Sequence, residues 1–209
     1  MTSNARATTR SPALPALMTA MAAMAFIGGC APVSVESSDQ QALHTVRRII
    51  VLPLTDAPHA EADGTGLSAR GEIIEALFHL GGYDLINVSP SEIEAAAERV
   101  GYEVRDCYDP RVAAAMGTEL KADAVVCGEL THWKTRQEWQ GGSFSIASGS
   151  KTTTYHCVGV SLRIVQTSNA EIIYSGMGSG RTEKGYAFAL KTAVKQAMAA
   201  LRQFSRTRS

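Results

Sequence analysis

Residues 157–180 constrain the fold more than any other part of the chain. In CVGVSLRI, Val158, Val160, Leu162 and Ile164 alternate with Cys157, Gly159, Ser161 and Arg163. That period of two marks a strand with one buried and one more polar face. SNAE follows as a turn, in which Asn169 tolerates left-handed backbone. IIYSGMGSG then reads as the next strand, so the two runs predict an antiparallel hairpin.

The earlier sequence has a different rhythm. VRRIIVLPLTD, residues 46–56, holds Ile49, Ile50, Val51 and Leu52 in succession, as a strand covered on both faces requires. From about Thr65 to Leu80 apolar residues recur at three and four, predicting a helix that Gly81-Gly82 ends. YDLINVS is a short strand. SPSE supplies an N-cap Ser89, Pro90 at the first helical position and Glu92 three residues after the serine, a capping box that opens a helix running to Gly101. Asp109-Pro110 opens another, ADAVVCGEL is a third strand, and a last helix spans about residues 185–204 with Leu190, Val194, Ala197, Leu201 and Phe204 as its apolar stripe. The expected order is β-α-β-α-α-β-β-β-α: an α/β domain with a mixed sheet of about five strands packed by helices.

Between the third and fourth strands lies KTRQEWQGGSFSIASGSKTTT, residues 134–154. A membrane hairpin needs strands of about 9–11 alternating residues. Here only SFSIAS alternates, and Lys134, Arg136, Glu138 and Lys151 interrupt any lipid-facing band. The stretch is expected to extend the two strands as a ragged hairpin above the sheet. Trp133 and Trp139, six residues apart, share one face if the strand is unbroken. Trp133, Trp139, Phe144 and Tyr155 are candidate partner contacts, because exposed Trp and Tyr concentrate binding energy; packing of one Trp into the sheet edge is the structural alternative.

The N-terminus reads as a processed export leader. Arg6 and Arg10 precede the uncharged LPALMTAMAAMAFIGG, which is short for a membrane span. FIGGC resembles the bacterial lipobox, whose cysteine receives a diacylglycerol and becomes the new N-terminus. Residues 1–29 are accordingly expected as a signal peptide, Cys30 as the lipidation site, and residues 30–45 as the lipidated cysteine with a flexible tether. Residues 46–204 form the domain and 205–209 a frayed tail. Acyl chains contribute about 0.8 kcal/mol per buried methylene, so several of them hold a protein firmly on a bilayer. Ala31 rather than Asp after the cysteine leans by analogy toward the outer membrane, with the domain on the periplasmic face.

Charge and motifs narrow the function. Twenty basic and twenty acidic side chains balance, which gives no reason to expect nucleic acid. No CxxC pair, zinc spacing, nucleophile elbow or phosphate-cradling glycine loop occurs, so no catalytic residue, metal or cofactor is assigned. The loop DAPHAEADG carries Asp56, His59, Glu61 and Asp63, the one place where a metal-dependent enzyme reading could start. His132 and His156 can face each other across the hairpin. Cys127 and Cys157 lie in neighbouring strands, so a disulfide between them is open; free buried thiols, Cys107 included, are the alternative.

RRIIVLPL, ADAVVCGELTHW, VGVSLRIVQTSNAEIIYSG and ALKTAVKQAMAAL together resemble a broad class of bacterial envelope lipoproteins with a fold similar to the TolB N-terminal domain. The class includes CsgG-like curli secretion lipoproteins and LpoB-like activators of peptidoglycan synthases. The resemblance implies a lipid-anchored module, not an enzyme, that contacts a so far unidentified envelope protein in an assembly, export or cell-wall synthesis complex. An oligomeric CsgG-like outer-membrane pore subunit is the alternative it also implies, and a homo-oligomer stays open.

Overall fold

The structure, a computed structural model, describes residues 36–56, 64–140 and 151–202. Their elements are β1 (Glu36–Ser38), α1 (Gln40–Thr45), β2 (Arg48–Val51), α2 (Thr65–Leu80), β3 (Asp84–Leu85), α3 (Pro90–Val100), a 3₁₀ turn (Val104–Tyr108), α4 (Pro110–Glu119), β4 (Ala124–Gln140), β5 (Lys151–Gln166), β6 (Ile172–Thr182) and α5 (Tyr186–Ala197). They build one mixed sheet in the order β1-β6-β5-β4-β2-β3. β2 is parallel to β3 and β4; the remaining pairs are antiparallel. The expected α/β class and the expected elements are present.

One boundary differs. Residues 36–45 were expected as tether, yet they form β1 and α1. β1 pairs with β6, Glu36 opposite Gly176 and Ser38 opposite Tyr174. Asp39 caps α1 by accepting from the Ala42 amide at 3.0 Å, and Leu43 and Val46 are almost fully buried. A three-residue strand and a six-residue helix are too short to show a period, so only their docking reveals them.

Local chemistry explains the rest. The Ser89 amide donates to Glu92 Oε2 at 2.8 Å and the Glu92 amide to Ser89 Oγ at 3.3 Å, which closes the capping box. The Ser89 amide, and after it the Ser89 hydroxyl, which donates to the same Oε2 at 2.7 Å, hold the Glu92 carboxyl below its ordinary pKa. Gly101 ends α3 at φ 77°, a conformation that costs glycine little. Asp56 accepts the Gly66 amide at 2.7 Å and so serves the start of α2 from the preceding loop. Arg70 on α2 donates to the carbonyls of Val51 and Val88 at 2.8 and 2.6 Å, tying the helix to the end of β2.

Two cores flank the sheet. On one face α2 and α5 cover Ile49, Val51, Val126, Leu130, Val158, Val160, Leu162 and Ile164. On the other, α3, α4 and the 3₁₀ turn cover Ile50, Leu52, Val125, Cys127 and Val165. Successive residues of β2 enter opposite cores, which is why that strand is apolar throughout. β6 meets α5 through Gly176, Gly178 and Gly180, where an added Cβ would fall on the carbonyl oxygens of Ala197, Ala193 and Ala189. Glycine every second residue on a strand thus meets alanine every fourth on a helix, and the backbones come into contact.

Candidate interaction surface

The last rung between β5 and β6 is His156 opposite Thr182. Beyond it, among the described residues, β4 and β5 continue with only each other as partners, from Arg136–Tyr155 to Gln140–Lys151. A two-stranded ribbon therefore projects from the packed body. The expected extension of the third and fourth strands is present, and its pairing is regular after one shift between Leu130 and His132.

The base of the ribbon is closed by aromatic packing. Trp133 stacks on Tyr186 with ring centroids 4.8 Å apart and planes 17° apart. His156 meets the same Tyr186 ring edge-on at 4.6 Å, and the Tyr186 hydroxyl lies 2.8 Å from Thr135 Oγ1. Trp133 is only 9% exposed. As a partner contact it is corrected: the first residue of α5 covers it, and it belongs to the core. Trp139 shares its face of β4 but lies past the helix, and it is 69% exposed.

The other side of the ribbon is a charged lattice around Tyr155. The Arg181 guanidinium sits 3.9 Å above the Tyr155 ring and pairs with Glu138, which also pairs with Arg136 at 3.4 Å. The hydrogen bond to Glu138 raises the Arg181 pKa above its ordinary value. Tyr155 is half-buried, and its ring face is occupied by Arg181, so it stiffens the ribbon. Phe144 and Cys30 lie outside the described residues, as do His59, Glu61 and Asp63 of the expected metal loop; Asp56 is spent on the start of α2. Among the described residues no group of three or more His, Cys, Asp or Glu could hold a metal.

Two further expectations change. His132 pairs with Gly159 and His156 with Thr135, so the histidines point to opposite faces and do not meet. His132 is half-buried against Gly159, and burial, with help from Lys134, lowers its pKa. Cys127 and Cys157 form no bridge: neither is in a disulfide, and both are buried. Cys127 stands opposite Arg163 and Cys157 opposite Lys134, too far along the strands for a disulfide. The cysteine that does approach Cys127 is Cys107, from the 3₁₀ turn. Burial pushes both of these thiols up to about 12, Asp106 adding to the effect on Cys107 and Cys107 itself to that on Cys127.

Sequence reasoning missed Tyr186 and Arg181. Both fall in RTEKGYAF, around what reads as a turn and the start of the last helix. Nothing in that segment's own pattern shows that it returns to the base of the ribbon.

No family model matches the chain, and no curated protein does. Solved structures are similar to it. A PelC dodecamer from Paraburkholderia phytofirmans is similar at 15% identity and a TM-score of 0.52, over 82% of this chain and 98% of that one. Lipoprotein GNA1162 from Neisseria meningitidis is similar at 18% identity and a TM-score of 0.47, over 77% and 99%. The LpoB C-terminal domain from Salmonella enterica is similar at 15% identity and a TM-score of 0.42, over 64% and 81%. Of these three, the PelC likeness shows the fold.

Proposed function

We propose that the mature chain is a lipid-anchored, periplasm-facing binding module of an envelope assembly, export system or cell-wall synthesis complex, held on the outer membrane through acylated Cys30. The observation that carries this reading is the β4–β5 ribbon. It reaches beyond a well-packed body, is braced at its base by Trp133 and Tyr186, and exposes Trp139. A braced surface aromatic contributes contact area with little ordering cost. The anchor confines the domain to the bilayer surface and raises its local concentration near partners there. The module works by contact rather than catalysis.

Labelling cells with a palmitate analogue tests the anchor. The full chain is expected to carry the label and to sediment with outer membranes, and Cys30→Ser should abolish both. An unlabelled wild-type chain in the soluble fraction would overturn the reading.

A second reading is a ring of copies. It is favoured by the PelC neighbour, which is described as a dodecamer and shares the fold over 82% of this chain. Mass photometry of the detergent-solubilised chain separates the two: one high-mass species supports the ring, and a monomer removes it.

A further inference from the structure

The direction of β1 says which end of the domain meets the membrane. β1 runs antiparallel to β6, with Glu36 opposite Gly176 and Ser38 opposite Tyr174. Moving back along β1 therefore means moving toward the Thr182 end of β6, and Thr182 stands opposite His156 at the base of the ribbon. The chain enters β1 from the ribbon side. Six residue steps separate Cys30 from Glu36, a reach of about 20 Å at most. The six steps of β6 from Gly176 to Thr182 cover about the same length. The anchor point can thus extend to about the level of the ribbon's base and no further. Reversing toward the opposite end would use about four of those residues in a turn.

The ribbon goes beyond that level. From Arg136–Tyr155 to Gln140–Lys151 it adds four steps, about 13 Å. A leaflet holding the acyl chains of Cys30 consequently lies within the ribbon's reach. The ribbon's surface fits the headgroup layer. Among the described residues Trp139 is its large exposed aromatic, with an apolar ring and an N–H that suit that layer. On the opposite face of the ribbon Lys134 and Arg136 are exposed cations, and Glu138 lies between Arg136 and Arg181. Glu183 and Lys184, exposed at the turn into α5, offset each other.

We infer that the β4–β5 ribbon rests on the lipid leaflet that receives the Cys30 anchor, with Trp139 in the headgroup layer. This names the first partner of the surface described above and rests on the proposed acylation. The ribbon then fixes the tilt of the domain, which the tether alone would leave free, and the end of the sheet at the β5–β6 turn faces away from the membrane.

The test uses the full chain, acylated in a bacterial host and reconstituted into vesicles of phosphatidylethanolamine and phosphatidylglycerol whose acyl chains are brominated close to the headgroup. Tryptophan emission is expected to fall relative to the same vesicles without bromine. The fall should disappear in Trp139→Phe, since Trp133 stays shielded under Tyr186. A chain that floats with the vesicles and carries the acyl mass on Cys30, yet keeps its full emission, overturns the inference while leaving the anchor intact. So does a photo-crosslinker at position 139 that traps an envelope protein in cells and no lipid. A chain that lacks the acyl mass and does not float overturns the anchor reading itself.

Discussion

Trp133 and Trp139 lie on the same face of one strand, and their surroundings differ completely. Trp133 is sandwiched against Tyr186, where α5 begins; Trp139 stands clear of any helix. α5 sets this difference, because it starts over the ribbon's base and runs away from the ribbon, meeting Gly180, Gly178 and Gly176 in turn. The strand's alternation determines which side chains share a face. Only the reach of the helix determines which of them are covered. The same strand therefore serves as core at one end and as exposed surface at the other.

Substitutions can break that contrast. The largest effect is expected for Trp133→Ala, which empties the stack under Tyr186 and should cost about 3–5 kcal/mol, as for other buried aromatics. A urea midpoint equal to that of the wild type would return Trp133 to the surface. Comparable in size is the shielding of Cys107 and Cys127. With both thiols at about 12, the thiolate population at pH 8 is about a thousandfold below that of an ordinary cysteine. A disulfide reagent should leave them unmodified in the native chain and modify them in urea, with mass spectrometry reading the sites.

Next comes Gly180→Val. The new side chain falls on the Ala189 carbonyl and should lift the start of α5, at about 3 kcal/mol for overpacking. Because α5 also carries Tyr186, the same variant should expose Trp133 and shift its emission to the red. Gly71→Ala is the counterpart with the opposite sign. Gly71 sits inside α2, and an added Cβ meets nothing within 4 Å, so stability should rise by about 0.5–1 kcal/mol. Smallest is Trp139→Ala, expected to change the urea midpoint by less than about 0.5 kcal/mol, as at other exposed positions. A large loss there would mean that the ribbon belongs to the folding core.

Much of the fold was legible in the residues. The capping box at Ser89, Pro90 and Glu92, the glycine ends of α2 and α3, the unbroken apolar run of β2 and the alternation of β5 each reflect local steric or hydrogen-bonding rules that act over a few residues. β1 and α1 were not legible, since Glu36–Ser38 becomes a strand only by pairing with β6. The site divided in the same way. Trp139 was recognisable as an exposed aromatic on a polar stretch, whereas Trp133 looked identical to it until α5 was placed. The Cys127–Cys157 pairing failed because neighbouring strands share a register that sequence spacing does not reveal; the strands bring Cys127 to Arg163 instead.

By itself, the sequence determined most elements of this protein, the capping box of α3, the apolar faces of its longer strands, and the lipobox-like FIGGC at the end of an uncharged run. Those properties depend on neighbours within about one turn of helix or two residues of strand. The tertiary structure alone decided which tryptophan is covered, which cysteines approach one another, and that the chain enters β1 from the ribbon side. Each of these depends on residues tens of positions apart being brought together by the closing of the sheet and the docking of α5, and such packing leaves no period in the chain to read.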